Sequence, residues 1–257
     1  MDRRTWMNWM AGTACLPMSS WAQALARLQL GVDGLIEDSG LAGHWKTAMA
    51  RDTGLTAQWV RAPSSRILQQ LEAGTLQAGL FLSHPLADTL EQQGLIHDRH
   101  ALARTQVLLV GPSADPAGLR GERDVVQALH QILAGQAAGV CQWQPAAKDT
   151  ALSGLSDTLV STLGSQHLPA KTLATTASAL PKYQLMTQFD WQALPRAARA
   201  PLKVWVKQDP RLWLTCQVAR SFRTPHPAGK LLTQWLQGPL GRRAVTAAGS
   251  TWQRVNS

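Results

Sequence analysis

Short apolar runs alternate with amphipathic stretches along this chain, and glycine closes most of the latter. Leu28–Val32 reads as a strand. Asp38 or Ser39 can cap a helix that sets Leu41, Trp45 and Met49 on one face and stops at Gly54. Thr56–Val60 reads as a second strand, and Ser64 or Ser65 can cap the next helix, with Ile67, Leu68 and Leu71 inward and Gly74 at its end. Gly79–Ser83 is a further strand, and Pro85 opens a helix ending at Gly94. Glycine just past the last apolar position accepts a left-handed C-cap without steric cost. Repeated strand-then-helix order implies helical crossovers between neighbouring strands, so the expected fold class is α/β with mainly parallel sheets.

The order continues beyond residue 100. Gln106–Val110 is an apolar strand that ends at Gly111-Pro112, and a turn-rich segment leads to Gly121-Glu122. Val125, Leu129 and Leu133 share a helix face that ends at Gly135, and Gly139–Trp143 reads as a strand. Leu152, Leu155, Leu159 and Leu163 form a stripe closed by Gly164, and Thr172–Leu180 reads as a short helix. Tyr183–Met186 and Leu202–Val206 are extended, Asp209-Pro210 is a turn, and Leu212–Val218 is a strand. Pro227–Gly238 and Arg242–Ala248 close the chain as helices.

With 257 residues, 45% hydrophobic and only 16% charged, the composition is globular and long enough for one large domain or two small lobes. The formal charge of +9 is scattered, densest at Arg196–Arg199 and Arg242-Arg243, and makes no basic run of the kind that binds nucleic acid. Residues 1–24 read as an export signal peptide: a basic Asp2-Arg3-Arg4 start, an apolar Trp6–Met18 too short for the ~20 residues of a membrane span, and a small-x-small Ala22-Gln23-Ala24 site. The arginine pair suits a twin-arginine signal and equally a Sec signal. Without Asp2, Arg3 and Arg4 the formal charge falls from +9 to +8. The expected location is the periplasm, where disulfides form. Cys141 and Cys216 each sit in an expected buried strand; free thiols and a bridge both remain open.

Several stretches, in order, resemble the tungstate-type periplasmic substrate-binding proteins of ABC importers. These are Asp38-Ser39-Gly40-Leu41, Leu82-Ser83-His84-Pro85, Val107–Gly121, Asp209-Pro210-Arg211-Leu212, and Trp235-Leu236 followed by Gly238-Pro239 and Gly241. The resemblance implies a two-lobed periplasmic-binding-protein-like fold (type 2) with interlobe crossing strands. Lobe one would be residues 25–107 and 217–257, and lobe two 108–216. It also implies a monomer that captures a small anionic ligand in the interlobe cleft and hands it to the membrane permease of an ABC importer, with no cofactor.

A buried oxyanion must exchange its hydration for fixed donors, each charge-assisted hydrogen bond returning roughly 1.5–3 kcal/mol. Here the chain departs from the family. The family's Thr/Ser-rich run before Asp-Ser-Gly reads Val32-Asp33-Gly34-Leu35-Ile36-Glu37, with no hydroxyl and two carboxylates that repel an anion. The lobe-two Arg-Gly-Asp-x-Ser-Gly-Thr-type loop falls on Gln142–Lys148, without the arginine. The ligand-binding candidates that remain are Ser39, Ser64, Ser65, Arg66 and His84, with Lys148 from the other lobe and Trp143 as a stacking surface. Ser39 and Ser64 can equally be plain helix caps, Arg66 a solvated residue, His84 a loop hydrogen bonder and Trp143 core. No nucleophile elbow, phosphate loop, HExxH or cysteine–histidine metal spacing occurs, so the chain is read as a binding protein and not an enzyme. The alternative is a divergent accessory or sensory protein that kept the fold and lost oxyanion binding.

Overall fold

The computed structural model describes residues 27–163 and 180–255. The expected export signal and nearly all of the helix expected at 172–180 lie outside them. Lobe one opens with β1 (Leu28–Val32), α1 (Gly34–Asp38), α2 (Leu41–Thr53), β2 (Ala57–Arg61), α3 (Ser64–Ala73), β3 (Ala78–Leu82) and α4 (Pro85–Gln92). Then β4 (Ile96–Pro112) runs for 17 residues into lobe two. Lobe two holds α5 (Val125–Ala137), β5 (Gln142–Gln144), α6 (Ala151–Thr162), β6 (Lys182–Thr187), α7 (Gln188–Ala193), α8 (Arg196–Arg199) and β7 (Leu202–Val206). The chain returns along β8 (Trp213–Ser221) to α9 (Pro227–Gln237), α10 (Pro239–Ala247) and β9 (Trp252–Arg254).

The strands are ordered β2-β1-β3-β8-β4-β6-β5, with β7 and β9 also on β4. Among the described residues, parallel pairing is confined to β1 with β2 and β3, and to β5 with β6. The crossing strands β4 and β8 are antiparallel to each other and to their other partners, because one carries the chain out and the other carries it back. The sheet is therefore mixed, more antiparallel than the crossover pattern alone implies. Up to Gln106, β4 pairs with β8; from Val107 onward it pairs with β6 and β7. On the return, Val107 N donates to Leu212 O at 2.9 Å, and pairing in the first sheet begins at Trp213. Residues 213–216 thus hydrogen-bond within the first sheet.

The first ten residues of β4 escaped sequence reading because His97, Asp98, Arg99 and His100 break the apolar pattern. The ladder there is irregular, with shifts at His97/His100 and Ala101/Ala103 and Asp98 at φ 52°. Residue type also decides two close approaches. A Cβ on Gly79 would stand 2.5 Å from Ile67 Cγ2, so glycine lets α3 lie directly on the sheet. Ile67, Leu68 and Leu71 are then fully buried, each worth about 1.5–3 kcal/mol. A Cβ on Gly111 would strike the Tyr183 ring at 2.1 Å, which accounts for the glycine that ends the apolar run of β4. Burial pushes the Tyr183 hydroxyl up to about 12.

Cys141 and Cys216 are free, buried thiols. Burial raises both above the ordinary thiol range, and the nearby Asp33 charge raises Cys216 further. No helix among the described residues is long and apolar enough to cross a membrane.

Candidate ligand-binding cleft

Between the lobes lies a cavity of about 530 Å³. Its lobe-one wall is the start of α3 (Ser64, Ser65), the turn into α4 (Ser83, His84, Pro85) and Arg99. Its lobe-two wall is the start of α6, from Asp149 to Thr158, and β8 closes the floor with Trp213, Leu214 and Gln217. An adjoining cavity of about 480 Å³ shares Asp149, Thr150 and Ala151 and reaches Asp33, Asp38 and Arg61 on one side and Thr187 and Asp190 on the other. Helix starts therefore face the cleft from both lobes. That follows from the topology: strands of each sheet end there, and the next helix begins at that edge. Thr150 caps α6 through its hydroxyl, which accepts from Ser153 N at 3.2 Å.

The best-connected group in the cleft wall is Asp33, only 5% exposed. It leaves β1 and caps α1: Oδ1 accepts from Leu35 N at 2.9 Å. Oδ2 accepts from Ser64 N at 2.9 Å and from Ser64 Oγ at 2.6 Å. Ser64 Oγ itself accepts from Leu82 N at 2.9 Å, so its single proton is left for Asp33. Among the described residues no partner of the Asp33 carboxylate is charged. The cleft's arginines are engaged elsewhere. Arg61 grips Asp38 with two bonds, 2.6 and 2.7 Å, and reaches Glu37 at 3.1 Å. Those hydrogen bonds hold the Asp38 carboxyl below the usual range. Arg99 lies 2.7 Å from Asp88 and 3.1 Å from Glu91.

The residues singled out from sequence fall into separate places. Ser64, Ser65 and His84 come together on the lobe-one wall. His84 caps α4, its Nδ1 accepting from Leu86 N at 3.1 Å. That assigns the ring proton to Nε2, and burial lowers the pKa, favouring the neutral ring. Ser39 stands at the end of α1 rather than at a helix start; its hydroxyl donates to Ile36 O at 3.2 Å and accepts from the Trp252 indole at 2.9 Å, away from both cavities. Arg66 points outward, with Gln69 Oε1 at 3.4 Å. Trp143 is packed in the lobe-two core at 9% exposure, and has no open ring face in the cleft wall. Lys148 is exposed beside the α6 start and lines neither cavity. Sequence reading passed over Asp33 as a donor-bound group, and passed over Arg61 and Arg99. The signal for Asp33 was present as an N-cap residue after an apolar strand; for the arginines there was none, because only the fold brings β2 and β4 to the cleft.

A family model described as "Bacterial extracellular solute-binding protein" matches residues 44–251. The chain belongs to that family. No curated protein matches it in sequence. Solved structures share the fold at low identity. The tungstate-binding protein TupA from Desulfovibrio alaskensis G20 superposes with a TM-score of 0.73 at 16% identity, covering 90% of this chain and 99% of that one. A periplasmic protein named for metal binding gives 0.76 at 18% identity, covering 90% and 97%. The tungstate ABC transporter protein from Geobacter sulfurreducens gives 0.66 at 16%, covering 86% and 98%. The fold is thus the two-lobed one of tungstate-type periplasmic binding proteins.

In this solute-binding protein the described residues of the cleft offer hydroxyls and helix-start N–H groups but little unpaired positive charge. Its lining carries Asp33, Asp38, Asp88, Asp149, Asp157 and Asp190 against Arg61 and Arg99. The chain as a whole is basic, so this acidic lining is a local property of the cleft. Among the described residues no group of three or more His, Cys, Asp or Glu is placed to hold a metal ion.

Proposed function

We propose that this protein is exported to the periplasm and works as a monomer. It captures a small organic solute in the interlobe cleft and presents it, chemically unchanged, to the membrane permease of an ABC importer. The carrying observation is the 530 Å³ cavity whose opposite walls are the starts of α3 and α6. That volume suits a small organic molecule. An anionic group on the solute, such as a carboxylate, sulfate ester or phosphate ester, would meet the Ser65 hydroxyl and the first N–H groups of α6, where the helix dipole favours negative charge. The carboxylates of the lining favour a solute that also carries polar or positive groups. Lobe one would be the first sheet with its helices, and lobe two residues 107–212, with closure about the β4 and β8 crossings. Under the same reading the protein carries out no catalysis.

The test is thermal melting of the full protein against a panel of anions and organic metabolites. A true ligand at 100 times its Kd stabilises by about 2.7 kcal/mol. A panel that leaves the melting temperature unmoved removes the import reading. It would favour the accessory or sensory alternative, which the engagement of Ser64 by Asp33 supports.

A further inference from the structure

We infer that Asp33 is a specificity residue of the cleft: its carboxylate occupies the buried donors of Ser64 and Leu35 in the cleft wall and so denies them to free tetrahedral oxyanions such as tungstate, molybdate and sulfate. This rests on the reading of the cleft as a solute site. Three donors from two elements converge on one buried carboxylate: Leu35 N at 2.9 Å, Ser64 N at 2.9 Å and Ser64 Oγ at 2.6 Å. Such a set of backbone and hydroxyl donors beside a helix start is what an oxyanion needs. Asp33 already satisfies it from within the chain. The backbone of Asp33 is anchored on both sides, since Asp33 N donates to Leu80 O at 3.0 Å and Asp33 O accepts from Glu37 N at 3.1 Å. The side chain therefore starts from a fixed point, and swinging it aside breaks its bonds from Leu35 N, Ser64 N and Ser64 Oγ.

An incoming oxyanion would therefore have to displace a tethered anion and then sit against it. Among the described residues both arginines that line the cleft are already engaged, Arg61 by Asp38 and Glu37 and Arg99 by Asp88 and Glu91. Tethering makes Asp33 an intramolecular competitor already oriented on the donors, which a free oxyanion must displace. Asp33 lines the adjoining 480 Å³ cavity and not the 530 Å³ one, so an organic solute held at Ser65 and α6 is not excluded.

Calorimetric titration of tungstate and sulfate into full-length wild type, Asp33→Ser, Asp33→Asn and Asp33→Ser/Ser64→Ala tests the assignment. Asp33→Ser keeps a helix-capping hydroxyl and empties the donor set. It is expected to bind tungstate about 100-fold more tightly than wild type, the worth of one or two charge-assisted hydrogen bonds. Asp33→Asn, which fills the same volume and turns an amide toward Ser64, is expected to bind none. Ser64→Ala on the Asp33→Ser background should cancel the gain. If Asp33→Ser does not fold, Asp33→Thr is the variant to read. Tight oxyanion binding by wild type, or none by a folded Asp33→Ser or Asp33→Thr, overturns the inference. Wild type that takes no organic solute, beside an Asp33→Ser that takes tungstate, instead overturns the import reading and leaves this one standing.

Discussion

Among the described residues, Asp33 in lobe one and Asp209 in lobe two are each buried against the start of a helix from elsewhere in the chain, and the two are held differently. In lobe two, Asp209 accepts from Val125 N at the start of α5 at 2.8 Å and from Arg211 through its backbone N, Nε and Nη2, at 2.9, 2.9 and 2.7 Å. Arg211 also reaches Asp124, the α5 cap, at 2.8 Å. In lobe one, Asp33 makes the same kind of contact with Ser64 at the start of α3, with neutral partners only. Asp209 is a closed ion pair that clasps α5 to the return strand. Asp33 is a lone carboxylate in a cleft wall, standing where a ligand anion would stand. The Asp209-Pro210-Arg211-Leu212 motif is thus explained by structure: the acid, the arginine that neutralises it, and Leu212, which is fully buried.

The comparison can be broken most sharply by removing each acid. Asp209→Ala should lower stability by about 3 kcal/mol, because it strands a buried helix-start N–H and frees Arg211 beside Asp124 alone; chemical denaturation measures it, and added oxyanions should not restore it. Asp33→Ser should cost about 2 kcal/mol, and tungstate should recover that loss. Equal recovery in both variants would erase the distinction. A smaller effect is expected with pH. Burial pushes the Asp209 carboxyl up, but hydrogen bonds from Arg211 and from Val125 N outweigh it and bring it down to about 2. A depressed folded-state value means the unfolded chain binds the proton more readily. The contribution of Asp209 is then full above the ordinary value of 3.8 and disappears as pH falls through about 2. The melting-temperature gap between wild type and Asp209→Asn should therefore narrow from pH 5 to pH 2. Smallest of all, Arg61→Ala should leave the denaturation midpoint almost unmoved, because Arg61, Glu37 and Asp38 are each about half exposed and screened by water. A larger loss would show that the mouth of the cleft is part of the lobe-one framework.

What the sequence determined by itself is what neighbours along the chain decide. Apolar spacing placed β1, β3, α3, α6 and α9, and glycines marked where α2, α3 and α4 stop, because helix faces, caps and C-terminal turns depend on residues within one or two turns of each other. Ordered motifs across the chain also identified the two-lobed family fold. Only the tertiary structure decided where the donors go. Sequence reading saw Asp33 as a charge that repels anions and Ser64 as a cap. Their hydrogen bond spans 31 positions, and exists because Gly79 lets α3 settle on the sheet beside the end of β1. Arg61 and Arg66 look alike in sequence, yet one lines the cleft and the other faces water. The polar half of β4 became a strand because β8 supplies the pairing its own side chains do not encode. Local periodicity carries no information about which element lies opposite, and a ligand site is made of groups that lie opposite one another.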